Sequence, residues 1–222
     1  MNGGRLTPPV GALDHVAGSA DAPLTLVEYG DYECPYCGMA YPIVKAAQRK
    51  LGNQLRFVFR NFPLAESHPH AKRAAQAAEA AAAQGQFWPM HDVLFEHQGA
   101  LEDADLVRYA KQLGLDAERF ARELEAGTYE KRVRDDFRSG VRSGVNGTPT
   151  FFINGTRWDG GWADEAAFID ALHRQAAPRL GGPSDDFDDA VPLATRGPRP
   201  RPKRMSSSEP ALNLTRSSLR RS

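Results

Sequence analysis

The stretch "GDYECPYCGMAYP" (Gly30–Pro42) holds both cysteines of the chain, Cys34 and Cys37, separated by a Pro-Tyr pair. Three chemistries use such a pair: a structural metal site, a disulfide staple and thiol–disulfide exchange. A structural zinc needs four ligands, so histidines would have to supply two. His68 and His70 in "SHPHA" are the candidates, at a spacing that matches no common zinc pattern, and no metal is expected. One bridge is also a poor scaffold for 222 residues, because disulfide frameworks belong to small domains with weak cores. An inert core pair is the plain alternative. Exchange accounts for more of what surrounds the cysteines.

Before them, "PLTLVEY" (Pro23–Tyr29) is a short, almost wholly apolar run that reads as a buried central strand. After them, "CPYCGMAYPIVKAAQRKLG" reads as a helix with Pro35 in its first turn, where a missing N–H costs nothing. Pro42 is expected to kink that helix, and Gly52 to end it. In "QLRFVFRNFPL", Leu55, Phe57 and Phe59 alternate with Arg56, Val58 and Arg60, a second strand. Residues 1–22 are rich in Gly, Pro and Ala without periodicity, and read as a flexible leader.

From His70 the pattern turns helical, beginning with the alanine-rich "AKRAAQAAEAAAAQGQFW". About four helices follow, an insertion at about 68–144. One is capped by Asp116, with Leu115 and Phe120 at staple spacing. The last carries Val133, Phe137 and Val141 as its apolar face. "TPTFFINGTRWDG" then reads as a hairpin turning at Asn154-Gly155, and "ADEAAFIDALHRQ" as a closing helix. The order β-α-β, helical block, β-β-α predicts one α/β domain over 23–180, since neither half has enough strands to stand alone. Residues 181–222 mix Gly, Pro and Ser with an acidic and then a basic cluster. They read as a disordered tail, with the basic run Arg196–Arg204 simply solvated.

Hydrophobic residues at 41% and charged residues at 25% predict an ordinary packed core. The 28 basic and 28 acidic side chains balance, which removes a global electrostatic case for a nucleic-acid partner. No apolar run reaches the ~18 residues of a membrane span, so no membrane association is expected. "MNGGRLTPPVGALDHVAGSADAP" does not read as a secretory signal. The expected location is cytoplasmic, where thiols are kept reduced.

The reactive species in exchange is the thiolate, and a helix N-terminus favours it through unpaired N–H groups and the helix dipole. Cys34, at the start of the helix, is expected to be exposed and to attack. Cys37, one turn on, is placed to resolve the mixed disulfide. Pro35 stiffens the turn and removes a donor; Tyr36 is a neutral side chain that modulates thiolate stability. Glu28 shares a strand face with Leu24 and Leu26, which predicts a partly buried carboxylate able to exchange a proton with Cys37. A strand-end glutamate reaching solvent is the alternative reading.

Taken together, "VEYGDYECPYC", "RFVFRNFPL…HPHA", "QGQFWPMHDVLF" and "GVNGTPTFFING" resemble the DsbA-like branch of the thioredoxin fold, over roughly Pro23 to Leu172. That resemblance implies that Cys34 attacks, that Cys37 resolves, and that Thr148 and Pro149 form a cis-proline loop beside Cys34 where an extended substrate segment pairs. On its own residues, Pro149 reads only as the first residue of an edge strand. The implied activity is thiol–disulfide exchange without a cofactor, by an expected monomer, on protein clients or small thiols such as glutathione. The Pro-Tyr dipeptide also resembles glutaredoxins, so oxidant, reductant and isomerase roles stay open. Two other classes are a glutathione-dependent transferase or isomerase on a related fold, against which Cys37 counts, and a redox-sensing or tail-mediated binding module.

Overall fold

A computed structural model describes residues 4–176. The tail expected over 181–222 and its basic run lie outside the described residues. Five strands form one sheet: β1 (His15–Ala17), β2 (Leu24–Gly30), β3 (Leu55–Asn61), β4 (Thr150–Ile153) and β5 (Thr156–Trp158), in the order β1-β3-β2-β4-β5. β2 and β3 are parallel, joined through helix α1 (Pro35–Leu51); β1, β4 and β5 pair antiparallel with their neighbours. Asn154 (φ 49°) and Gly155 (φ 79°) make the β4–β5 turn, the two positive φ angles that a two-residue hairpin requires.

Between β3 and β4 lie five helices, one more than the alanine-rich pattern resolves: α2 (Ala71–Ala82), α3 (Phe87–Glu96), α4 (Asp103–Gln112), α5 (Ala117–Glu125) and α6 (Glu130–Arg142). α7 (Glu165–Ala176) closes the order. α2 is buried nearly all round, which its small alanine side chains allow. Asp116 caps α5 by accepting from Arg119 N–H at 2.9 Å. α1 runs unbroken from Pro35 to Leu51 with Pro42 inside it. Among the described residues no helix is long and apolar enough to cross a membrane.

Both faces of the sheet are buried. On one, Leu24 and Leu26 of β2 and Phe57 and Phe59 of β3 pack with residues of α1, α3 and α7. On the other, Val27, Tyr29, Val58 and Phe152 pack with Leu6, Val10, Val16 and Phe137. The second strand expected over "QLRFVFRNFPL" is β3, in which Val58 and Arg60 are as buried as the phenylalanines. One expectation changes here. The N-terminal segment, expected to be flexible, is folded from Gly4 and covers that second face.

Arg60 explains why. Its guanidinium is buried and needs acceptors, because an unpaired interior charge is costly. Asp14 accepts from it through both carboxylate oxygens at 2.7 and 3.0 Å, and the carbonyls of Pro8 and Pro9 at 3.0 and 3.2 Å. Tyr29 Oη accepts a further bond at 2.8 Å. The Gly- and Pro-rich leader thus supplies polar partners and an apolar cover without any periodic pattern.

α6 also turns a different face inward. Val133 is buried as expected, but Val141 is exposed, and Asp136, Ser139 and Gly140 are buried. Asp136 accepts from Asn61 N–H at 3.1 Å, and Ser139 Oγ bonds Tyr29 Oη at 2.8 Å. Hydrogen bonding to β2 and β3 overrides the hydrophobic count on this helix.

Candidate active site

The site lies where β2 ends and α1 begins, the crossover of the parallel pair. Cys34 is the N-cap of α1 (φ −70°, ψ 122°) with Pro35 in the first turn. Its N–H donates to Asp31 O at 3.2 Å, and its own carbonyl accepts from Gly38 N–H at 3.1 Å. Cys37 follows one turn on, and both sulfurs are free thiols.

Cys34 is not exposed as the sequence predicts: it is 3% exposed and Cys37 fully buried. The loop before β4 covers it, and the Cys34 thiol donates to Thr148 O at 3.4 Å. The Thr148–Pro149 peptide bond is cis. Pro149 is the loop residue just before β4, and β4 itself is internal, paired on both sides. Thr148 Oγ1 is buried without a hydrogen-bond partner.

The ionisation of the two sulfurs is pushed in opposite directions. Cys34 is lowered to about 5: the Cys37 thiol bonds to it, outweighing burial, and Thr148 and the backbone N–H groups of Cys37 and Tyr36 add to the effect. Cys37 is pushed up by burial, by bonding to Cys34, and by the nearby charges of Glu28 and Cys34. The exposed Tyr36 ring points to solvent; what Tyr36 contributes is its backbone N–H.

Glu28 sits on β2 behind the cysteines, only 2% exposed. The open choice between a buried and a solvent-reaching carboxylate therefore falls to the buried one. Burial first, then repulsion from the Cys34 thiolate, raise it to about 8. Its Oε1 has no hydrogen-bond partner. It borders a cavity of about 10 Å³ also lined by Lys45, His91 and Asp92.

Several residues around the pair escaped the sequence reading. Asp31 Oδ1 accepts from Glu33 N–H at 2.8 Å, and its Oδ2 from Leu64 N–H and His68 Nδ1 at 2.8 Å each. Asp31 N–H also approaches Cys37 Sγ at 3.5 Å. Gln98, from beyond α3, donates to the carbonyls of Tyr32 and Cys34 at 2.8 and 2.9 Å. His68 and His70, weighed as metal ligands, instead bond Asp31 and Glu33 through Nδ1 at 2.8 and 2.9 Å. No spacing signals these contacts, because 37 residues separate each histidine from its carboxylate.

Residues 12–171 match the Thioredoxin_4 family, described as thioredoxin. Among solved structures, BdbD from Bacillus subtilis in its oxidised form is 25% identical with a TM-score of 0.70, covering 78% of this chain and 97% of that one. A thioredoxin-like oxidoreductase from Silicibacter pomeroyi is 29% identical with a TM-score of 0.65, covering 74% and 92%. Curated relatives include the Na(+)/H(+) antiporter NhaA 1 of Salinispora arenicola, 47% identical over 173 residues, or 78% of this chain and 26% of the antiporter. NhaA 3 of Salinispora tropica is similarly 47% identical over 167 residues, again 26% of its length. The chain spans about a quarter of the length of these relatives. With the sheet order, the helical insertion and the cis-proline loop already in view, the chain belongs to the thioredoxin family, with the fold of the DsbA-like thiol–disulfide oxidoreductases.

Proposed function

We propose that the chain exchanges disulfides with protein clients or small thiols, with Cys34 attacking and Cys37 resolving. The observation that carries this reading is the unequal placement of the pair: Cys34 caps α1 beneath Thr148 O, whereas Cys37 is fully buried one turn on with buried Glu28 nearby, an arrangement that favours the thiolate on Cys34 and the thiol on Cys37. The Cys34 thiolate attacks a client disulfide, forming the Cys34–client bond and expelling one client thiolate. In the mixed disulfide the Cys34 charge that helped raise Glu28 is gone; once Glu28 has released its own proton, its carboxylate takes the Cys37 proton, and the Cys37 thiolate attacks Cys34 Sγ, expelling the second client thiolate. The client gains two electrons, and the chain is left as the Cys34–Cys37 disulfide. Reversing the steps oxidises a client dithiol. The cis-proline loop offers the Thr148 backbone to the client segment next to the mixed disulfide.

The thiolate preference favours the oxidising direction. At pH 7, a thiol lowered from 9.0 to about 5 stabilises the reduced form by about 3 kcal/mol, roughly 60 mV for a two-electron couple. Exchange, not transport, is the function we assign to the described residues.

The test uses a reduced peptide with two cysteines and an insulin-reduction assay. Cys34→Ser abolishes both activities, and Cys37→Ser accumulates a mixed disulfide through Cys34. Full activity in Cys34→Ser refutes the assignment. A single-cysteine glutathione transferase chemistry would instead survive Cys37→Ser with turnover intact.

A further inference from the structure

The residues between the cysteines bring no charge to the thiolate. Pro35 has none, and the Tyr36 side chain is 61% exposed. A candidate cation arrives from a different part of the chain, the loop between β3 and α2. His68 there is fixed at both ends: its N–H donates to Leu64 O at 2.9 Å, and its Nδ1 donates to Asp31 Oδ2 at 2.8 Å. Asp31 is completely buried in its side chain, and the His68 side chain is 18% exposed. The same Asp31 holds the redox turn, through its carbonyl to Cys34 N–H at 3.2 Å and its N–H toward Cys37 Sγ at 3.5 Å. One residue thus ties the imidazole and both cysteines into a single cluster.

We propose that His68 is a positioning residue for the redox couple: as an imidazolium held by Asp31, it stabilises the reduced Cys34 thiolate and so makes the Cys34–Cys37 disulfide the stronger oxidant. The inference rests on Cys34 being the attacking thiolate. Three acidic groups face His68, Asp31 and Glu33 from the turn before α1 and Cys34 at its start. Glu33 is shared with His70, which also reaches Glu102 at 3.3 Å. Burial works against a charge on His68, but the Asp31 carboxylate overrides it, and Cys34 and Glu33 add, so the imidazole is raised above 6.5. By linkage the effect is reciprocal. Forming the disulfide removes the Cys34 charge and loosens the His68 proton, so oxidation of the pair releases part of a proton from His68.

The sign sets a window. His68 is a base raised in the folded, reduced state, so its contribution is complete below its ordinary value and disappears as pH rises through the raised one. Cys34 is a thiolate only above about 5. The effect is therefore largest near pH 6 and absent near pH 9.

The test is His68→Asn, whose amide can keep the bond to Asp31 but never carries a charge, with His68→Arg as the charged control. Cys34 is titrated by thiolate absorbance, and the potential is measured against glutathione at pH 6 and pH 9. His68→Asn is expected to weaken the thiolate about three- to tenfold at pH 6, roughly 15–30 mV toward the reducing side, with no change at pH 9. His68→Arg keeps the oxidising potential at both pH values. Native values for His68→Asn at pH 6, or equal shifts in both variants, overturn the inference. Should either variant fail to fold, NMR titration of His68 in the native protein decides it: the midpoint must be higher in the dithiol form than in the disulfide form. Activity in Cys34→Ser would sink the exchange reading itself; loss of activity there with native behaviour in His68→Asn sinks only the role of His68.

Discussion

Replacing Glu28 by glutamine should stabilise the fold, and by an amount that depends on pH. In the unfolded chain this carboxyl titrates near its model value of 4.5; in the reduced folded protein it is raised to about 8. An acid raised by folding binds its proton more tightly in the native state, so its cost is absent below 4.5, grows as pH rises, and saturates above 8. The penalty is about 1 kcal/mol at pH 5 and about 3 kcal/mol at pH 7 by the linkage relation. Glutamine has the same shape and does not ionise. The stability gap between variant and native protein should widen by between about 2 and 3 kcal/mol from pH 5 to pH 7. Taking this difference between two pH values cancels whatever the neutral amide does to packing. Urea unfolding of both proteins, kept reduced, measures it. A second arm uses the disulfide form, where the Cys34 charge is gone and the widening should shrink. The variant should also resolve mixed disulfides about 10²-fold or more slowly, the usual effect of losing a positioned base. A gap that is the same at pH 5 and pH 7 would refute the claim that Glu28 is a buried, proton-holding carboxyl.

Two further changes test the fold that positions the site. Asp14→Ala leaves the Arg60 guanidinium without its carboxylate, and breaking a buried pair costs about 3–5 kcal/mol. Hydrogen exchange should then rise along residues 5–17; unchanged protection would show that the N-terminal cover does not depend on the pair. Gly140→Ala pits two effects against each other. Alanine favours a helix by about 1 kcal/mol over glycine, but its Cβ would stand 2.6 Å from the Phe62 ring and 3.1 Å from Tyr29. Overpacking of about 1–3 kcal/mol should win, and a urea midpoint above native would contradict the close contact of α6 with the sheet.

Local signals made much of this legible. Asp116 and the Asn154-Gly155 turn act through their own backbone neighbours, so their roles can be read in place. The apolar run of β2 shows a strand buried on both sides. The Cys-Pro-Tyr-Cys spacing, with Pro35 behind Cys34, shows sulfurs at a helix start. The alternation in β3 marked the strand but could not show the burial of Arg60, which depends on partners 46 residues away in the N-terminal segment. Val141 misled for a similar reason: α6 turns inward the side chains that bond β2 and β3, whatever its hydrophobic count.

By itself, the sequence determined the strand–helix–strand opening, the closing hairpin and helix, and the place of both cysteines at a helix start. These depend on residues within a turn or two of each other. Only the tertiary structure decided that Cys34 is covered, that Glu28 is buried without a partner, and that His68 and Asp31 belong to the same cluster. The physical reason is that desolvation and charge proximity are set by what the fold packs around a group, and the sheet brings together residues 37 to 114 positions apart.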